Sequence, residues 1–396
     1  MAIHTRIKDE AMKTIEIVTQ STPNKEEMDI HDLSIGQRID WLVGLSRRHS
    51  QEFQSPESWL ARSRYLAQHP TSIAVFMCMD GRINIPVATN TPLGIILPFR
   101  NLGGCFNLGW PHLGEVVTEH VQSMVRQGRR TLALITYHYS KGNPRRGCAG
   151  FNYDTDAART HSIGIKHQME GVFGTGHDTV YPIVCGFETD EDALVLHGKD
   201  GQILDLSTVS STDLDSLPAM LEQLYPDMPP QVHHDLMPLV RDNITYVAGI
   251  KQTNRMLNIE HREWIICVGR GFDWLHTSNL ALIIGPYSPD LADPIRKAAG
   301  IIEANMRTGR IPDDGFLLLA KAPYREIGVD RALAELKSTF LSGFAAEVIR
   351  TDFPKLAEKM HVRTAVLAWQ SRVMEFIDAG KEIDDPLQHP SLLPHQ

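Results

Sequence analysis

Three short apolar runs rich in β-branched residues, Ile73 to Met77, Leu132 to Tyr137 and Val180 to Cys185, are set apart by Leu113 to Gln127 and Asp154 to Val172. In those two longer stretches apolar residues return at helical spacing, so the pattern predicts strands alternating with amphipathic helices. Such alternation implies right-handed crossovers and a parallel sheet covered on both faces, hence an α/β fold. Glu188 to His197 and Gln202 to Leu206 predict a hairpin, with Asp200-Gly201 as the turn signal.

Before the first strand, Ile35 to Ser46 and Pro56 to Ala67 show helical spacing that puts Trp41 and Trp59 on apolar faces. This segment, residues 1–70, is expected to be a helical clasp packed on the domain that follows, residues 71–210. Residues 211–240 are read as a connector, dense in Pro and Asp through about residue 235. The rhythm then resumes with strands at Trp264 to Val268, Leu280 to Gly285 and Phe316 to Ala320. Helices are expected at Pro289 to Thr308, Asp330 to Arg350 and Phe353 to Ile377. Residues 241–396 thus form a second α/β half, and a chain of 396 residues is long enough for two cores.

A net charge of -9 gives no support for nucleic-acid or anionic-membrane binding. The first twenty residues lack the apolar core of a signal peptide, and no later run is long enough to span a membrane, which predicts a cytoplasmic protein. Five cysteines are too few for a disulfide framework in a chain this long. Cys105, Cys185 and Cys267 read as small buried residues, and Trp41, Trp59, Trp264, Trp274 and Trp369 as core.

Candidate chemistry gathers at strand ends. The first run ends in Cys78-Met-Asp80-Gly-Arg82, the second ends in His138, and Cys148 follows after a loop. Ligands of parallel sheets collect at the carboxyl ends of the strands. Two thiolates and one imidazole form a three-ligand set suited to zinc with a fourth position open, as in catalytic sites. Asp80 shares a strand face with Cys78, and Arg82 can hold its carboxylate ionised in fork geometry. The second half carries no Cys-x-Asp-x-Arg and is expected to lack a metal site. His233, His234 and Asp235 have a metal-binding composition, but adjacent histidines point apart and no third ligand of suitable spacing accompanies them, so surface connector is expected. Arg145 and Arg146 read as a solvated loop.

Cys78-x-Asp80-x-Arg82, Arg100-Asn101-Leu102-Gly103-Gly104, and a strand ending in His138 with Cys148-Ala149-Gly150 downstream resemble the β-class carbonic anhydrase superfamily. The Cys-x-Asp-Gly-Arg form and Gly186 to His197 are similar to the divergent carboxysomal shell branch. So is the spacing of nine residues, Tyr139 to Gly147, between histidine and second cysteine, where ordinary members have two. The resemblance implies a parallel or mixed sheet flanked by helices, with an active half fused to a similar half that has lost its metal. It implies Cys78, His138 and Cys148 as zinc ligands, Asp80 and Arg82 as the catalytic dyad, and reversible hydration of carbon dioxide to bicarbonate. Ala149 and Gly150 are expected to offer backbone N–H groups to substrate, and His112, His161 or His167 to relay protons.

Two other functions fit the same residues. One is hydrolysis of carbonyl sulfide or carbon disulfide on the same scaffold; the other is a catalytically idle shell or interaction protein. Cadmium can replace zinc on thiolate ligands. The expected partners are the small substrate, a second copy in a homodimer or higher homo-oligomer, and a microcompartment shell or cargo protein, with no nucleic acid and no membrane.

Overall fold

The computed structural model describes residues 29–210, 213–252, 259–272 and 279–377. Trp274 lies outside them. The first sheet contains β1 (Ser72–Cys78), β2 (Ile96–Asn101), β3 (Thr131–Tyr139), β4 (Val180–Glu188), β5 (Ala193–His197) and β6 (Ile203–Asp205), in the order β2-β1-β3-β4-β5-β6. β2, β1, β3 and β4 are mutually parallel, and β5 and β6 add antiparallel. All seven residues of β1 are buried, which explains its unbroken apolar run. Asp200 and Gly201, at φ 53° and 76°, turn the chain from β5 to β6 as their sequence predicts.

The second sheet comprises β7 (Ile265–Gly269), β8 (Ala281–Ile284), β9 (Phe316–Tyr324), β10 (Met360–Ala368) and β11 (Val373–Phe376), in the order β11-β10-β9-β7-β8. Reversed, that order and its parallel and antiparallel senses repeat β2-β1-β3-β4-β5. The crossover helices correspond too. α3 (Pro111–Arg126) and α4 (Thr155–Phe173) precede β3 and β4; α7 (Ala292–Arg307) and α8 (Val329–Asp352) precede β9 and β10. The chain is therefore a mixed α/β fold of two similar halves. Ile73 pairs with Leu132, and Ile265 with Leu317, which sets the two ladders in common register. In that register Arg270 and Pro323 stand where the first half has Cys78 and His138.

The helices before β1 are α1 (Ile35–Gln54) and α2 (Pro56–Gln68); those before β7 are α5 (Leu217–Leu224) and α6 (Pro230–Ile250). The expected clasp does not lie chiefly on the domain that follows it. Arg38 of α1 is fully buried, forms an ion pair with Asp314 and lies over the Trp264 ring at 5.0 Å, while Ser50 Oγ donates to Ser371 O at 3.1 Å. α1 thus packs on the second half, drawn by a buried guanidinium that needs an anion and carbonyls, while Phe53 and Arg62 reach Gly94 of the first. Trp59 is 62% exposed rather than core, whereas Trp264 is buried and Trp41 and Trp369 are partly buried against the core.

Two further expectations change. Of Phe353 to Ile377 only the turn Pro354–Ala357 is helical, because from Met360 onward β10 and β11 form a hairpin paired to β9. The expected connector is largely helical, in α5 and the start of α6, whose Val232, Leu236, Leu239 and Val240 are buried.

Alternate residues of β1 enter different cores. Ala74 and Phe76 pack with Phe99, Leu113 and Val117 beneath α3, whereas Val75 and Met77 join a core continuous with Trp264, Ile266 and Leu282 of the second half. One face of the first sheet is thereby covered by the other half of the chain. No helix among the described residues is long and apolar enough to cross a membrane.

Candidate functional site

Cys78 ends β1 and His138 lies one residue before the end of β3, two strands hydrogen-bonded side by side. Their ligand atoms and that of Cys148 lie within 4.8 Å of one another, and all three residues are buried. Both ring nitrogens of His138 are buried with no hydrogen-bond partner. A buried imidazole left so is costly in a dry interior, and a metal ion relieves the cost. Two sulfurs beside that ring form a donor set that fits zinc or another soft divalent ion.

The neighbouring Cys148 sulfur holds the Cys78 thiol well below its ordinary range, opposed by burial and helped by His138. Cys78, with burial, pushes the Cys148 thiol up. The Gly150 N–H partly offsets that rise.

Cys148 arrives through the loop of residues 140–147, which is held at several points. Asp190 accepts from Ser140 Oγ at 2.8 and 2.9 Å, from the Gly142 N–H at 2.7 Å and from Arg146 Nη1 at 3.4 Å. Glu188, the last residue of β4 and fully buried, accepts the N–H of Lys141 at 2.9 Å, and those of Asp190 and Glu191. Arg146 donates to Glu260 at 2.9 Å, so it is an anchor and not the solvated residue its sequence suggests.

Asp80 and Arg82 are both buried and face each other as a two-pronged pair, Nε to Oδ1 at 3.0 Å and Nη2 to Oδ2 at 2.6 Å. Burial would raise the Asp80 carboxyl, but Arg82, His261 and His138 hold it far below the usual carboxylate range. Burial likewise opposes the charge on Arg82, and Asp80 more than restores it. The same guanidinium donates to Arg146 O at 2.7 Å and Ile259 O at 2.9 Å. One side chain therefore binds the carboxylate, the Cys148 loop and the second half.

The Arg100 to Gly104 segment frames this cluster. Arg100 is buried and donates to the carbonyls of Cys78 and Asp80 at 3.0 Å and of Ile83 at 2.6 Å. A β-carbon on Gly150 would meet the Gly103 Cα at 2.6 Å, so the two loops approach where only glycine fits.

A pocket opens beside the cluster, with Cys78, Asp80, His138, Ala149 and Gly150 on one side and Leu102, Leu282 and Ile301 as apolar wall. His261 also lines it. The ring Nδ1 lies 2.9 Å from Glu263 Oε1, and ligand atoms of Asp80, His261 and Glu263 fall within 4.8 Å of one another. The positive Arg82 guanidinium spans both Asp80 oxygens, and its charge opposes a second cation at this trio. The second half thus supplies an imidazole to the pocket of the first. No sequence signal marks His261, since nothing local ties it to residues far earlier in the chain. His112 and His167 are exposed, and His161 packs against Phe151; none of the three lines the pocket.

No protein-family model matches the chain, and no curated protein matches it. Among solved structures, a similar chain is a carbonic anhydrase from Streptococcus mutans, at 16% identity, covering 34% of this chain and 81% of that one, with a TM-score of 0.21. Overlap at that score carries no argument, so the chemistry of the pocket has to be judged on the residues that form it.

Proposed function

We propose that this chain is a zinc-dependent carbonic anhydrase catalysing the reversible hydration of carbon dioxide, akin to the divergent β-class branch in which an active half is fused to one without metal. The carrying observation is the meeting of Cys78, His138 and Cys148 around an unpartnered imidazole, next to a carboxylate locked by Arg82. Cys78, His138 and Cys148 would hold the ion, which when bound supplies Lewis acidity that brings a water ligand's pKa toward neutrality.

The chain's own residues supply the rest. Arg82 keeps Asp80 ionised and fixed, so Oδ2, 3.9 Å from His138 Nδ1, is a standing acceptor that orients a hydrogen-bond donor at the base of the pocket. Leu102, Leu282 and Ile301 favour a small, linear, apolar substrate and exclude bulk water. His261, steadied by Glu263, is placed to carry a proton away from the site.

The test is elemental analysis of the purified chain together with stopped-flow carbon dioxide hydration. One zinc per chain at this site with rapid hydration is the expected result, and absence of hydration in metal-replete protein removes the proposal. Turnover of carbonyl sulfide or carbon disulfide instead would transfer the site to that chemistry, and cadmium in the elemental analysis would replace zinc as the ion.

A further inference from the structure

His234 and Asp235 gain the third partner that their local sequence lacks. His69, which ends α2, is brought against the second turn of α6, and ligand atoms of His69, His234 and Asp235 lie within 4.8 Å of one another. The His69 and His234 rings stack with centroids 5.0 Å apart at 27°. Asp235 is fully buried, and its Oδ1 lies 3.3 Å from His69 Nδ1. A backbone N–H and a side-chain amide fix that carboxylate, with the Thr71 N–H donating to Oδ2 at 2.8 Å and Gln231 Nε2 to Oδ1 at 2.8 Å. Two imidazoles and an oriented carboxylate, each held by a different constraint, converge where His234 reaches solvent.

We propose that His69, His234 and Asp235 form a second divalent transition-metal site, separate from the Cys78 cluster. The donors are nitrogen and oxygen with no sulfur, which selects ions of the zinc, nickel and cobalt class over calcium or magnesium. Three side chains with one solvent-facing edge leave positions for water, as in a site whose ion exchanges with the medium. The Asp235 bond to Thr71 puts this site at the start of β1, about 20 Å by strand rise from the Cys78 end. A bound ion would fasten α2 to α6 and so set where β1 begins.

Cobalt(II), added to the chelator-stripped full chain, separates the two sites by ligand chemistry. Wild type is expected to take up two equivalents, only one of them giving a thiolate-to-cobalt charge-transfer band. His234→Ala, a change at an exposed position, should take up one equivalent and keep the band. Cys78→Ser/Cys148→Ser should take up one without it, and zinc should raise the melting temperature of that variant but not of the triple variant that adds His234→Ala. Equal cobalt uptake by wild type and His234→Ala would overturn the proposal and reduce the cluster to a histidine hydrogen-bonded to a carboxylate. That comparison stands even if the cysteine variants fail to fold.

Discussion

Gly81 lies so close to Ala281 that a β-carbon on it would stand 2.2 Å from the Ala281 carbonyl oxygen. The glycine between Asp80 and Arg82 is the point where the second half presses on the segment that follows Cys78. Asn279 N donates to Gly81 O at 2.9 Å, and Ile283 N to Met79 O at 2.8 Å, so β8 is bonded directly along this segment. Gly81→Ala is expected to force the halves apart and cost about 1–3 kcal/mol, the usual range for overpacking. Urea unfolding measures that loss. Activity should fall further than stability, because His261 and Asp80 sit on opposite sides of the displaced contact.

Removing a ligand and removing the dyad should have different signatures. Cys78→Ala is expected to lose the ion held with His138 and Cys148, and with it the activity. Asp80→Ala should keep the metal and lose about 100-fold or more in turnover, the scale of removing a positioned acid–base group. Metal content and kcat measured on the same preparations check this, and full activity in either variant would contradict the mechanism.

His261→Ala should leave metal content unchanged and lower turnover by about tenfold or more, with partial recovery as imidazole buffer is added. Buffer-dependent kcat is the measurement. A purely structural His261 would show no rescue.

Asp190 holds Ser140, Gly142 and Arg146 together, and through them the loop that ends in Cys148. Asp190→Ala should weaken metal affinity by about 10- to 100-fold, as loss of a group that orients ligands does. Competition with a chromogenic chelator reads the change, and His138, on β3, should be little disturbed.

Away from the site, burial and neighbouring arginines lower the His120 pKa from 6.5 to about 4, with Nε2 3.0 Å from Ser72 Oγ. The unfolded chain therefore takes up the proton first. Stability from neutral His120 is present above pH 6.5 and is lost as pH falls toward 4, by on the order of 2–3 kcal/mol. His120→Gln keeps a partner for Ser72 and removes the titration. Unfolding free energies of the two proteins at pH 7 and pH 4 should show this difference narrowing by that amount.

Local pattern was sufficient for the strands that carry Cys78 and His138. A fully buried parallel strand must be apolar along its whole length, so β1 and β3 announce themselves, and their polar terminal residues stand out against that background. The repeated strand–helix rhythm also revealed two α/β halves. Pattern failed where pairing partners are distant in the chain. The helical spacing of Phe353 and Leu356 holds only over Pro354–Ala357, and from Met360 the chain is a strand because β9 offers it a full ladder. Trp59 is exposed although its spacing puts it on an apolar face, because spacing says which residues share a face, not whether another element covers it.

The residue types able to bind a soft ion, Cys78, His138 and Cys148, and the carboxylate beside them were determined by the sequence alone. Tertiary structure decided that the loop from His138 to Cys148 closes on Asp190, Glu188 and Glu260, that Arg82 ties the two halves, and that His261 enters the pocket. It also brought His69 to His234 and Asp235. These are non-local contacts, set by how the two sheets and the flanking helices pack, and local periodicity carries no information about which distant surfaces will meet.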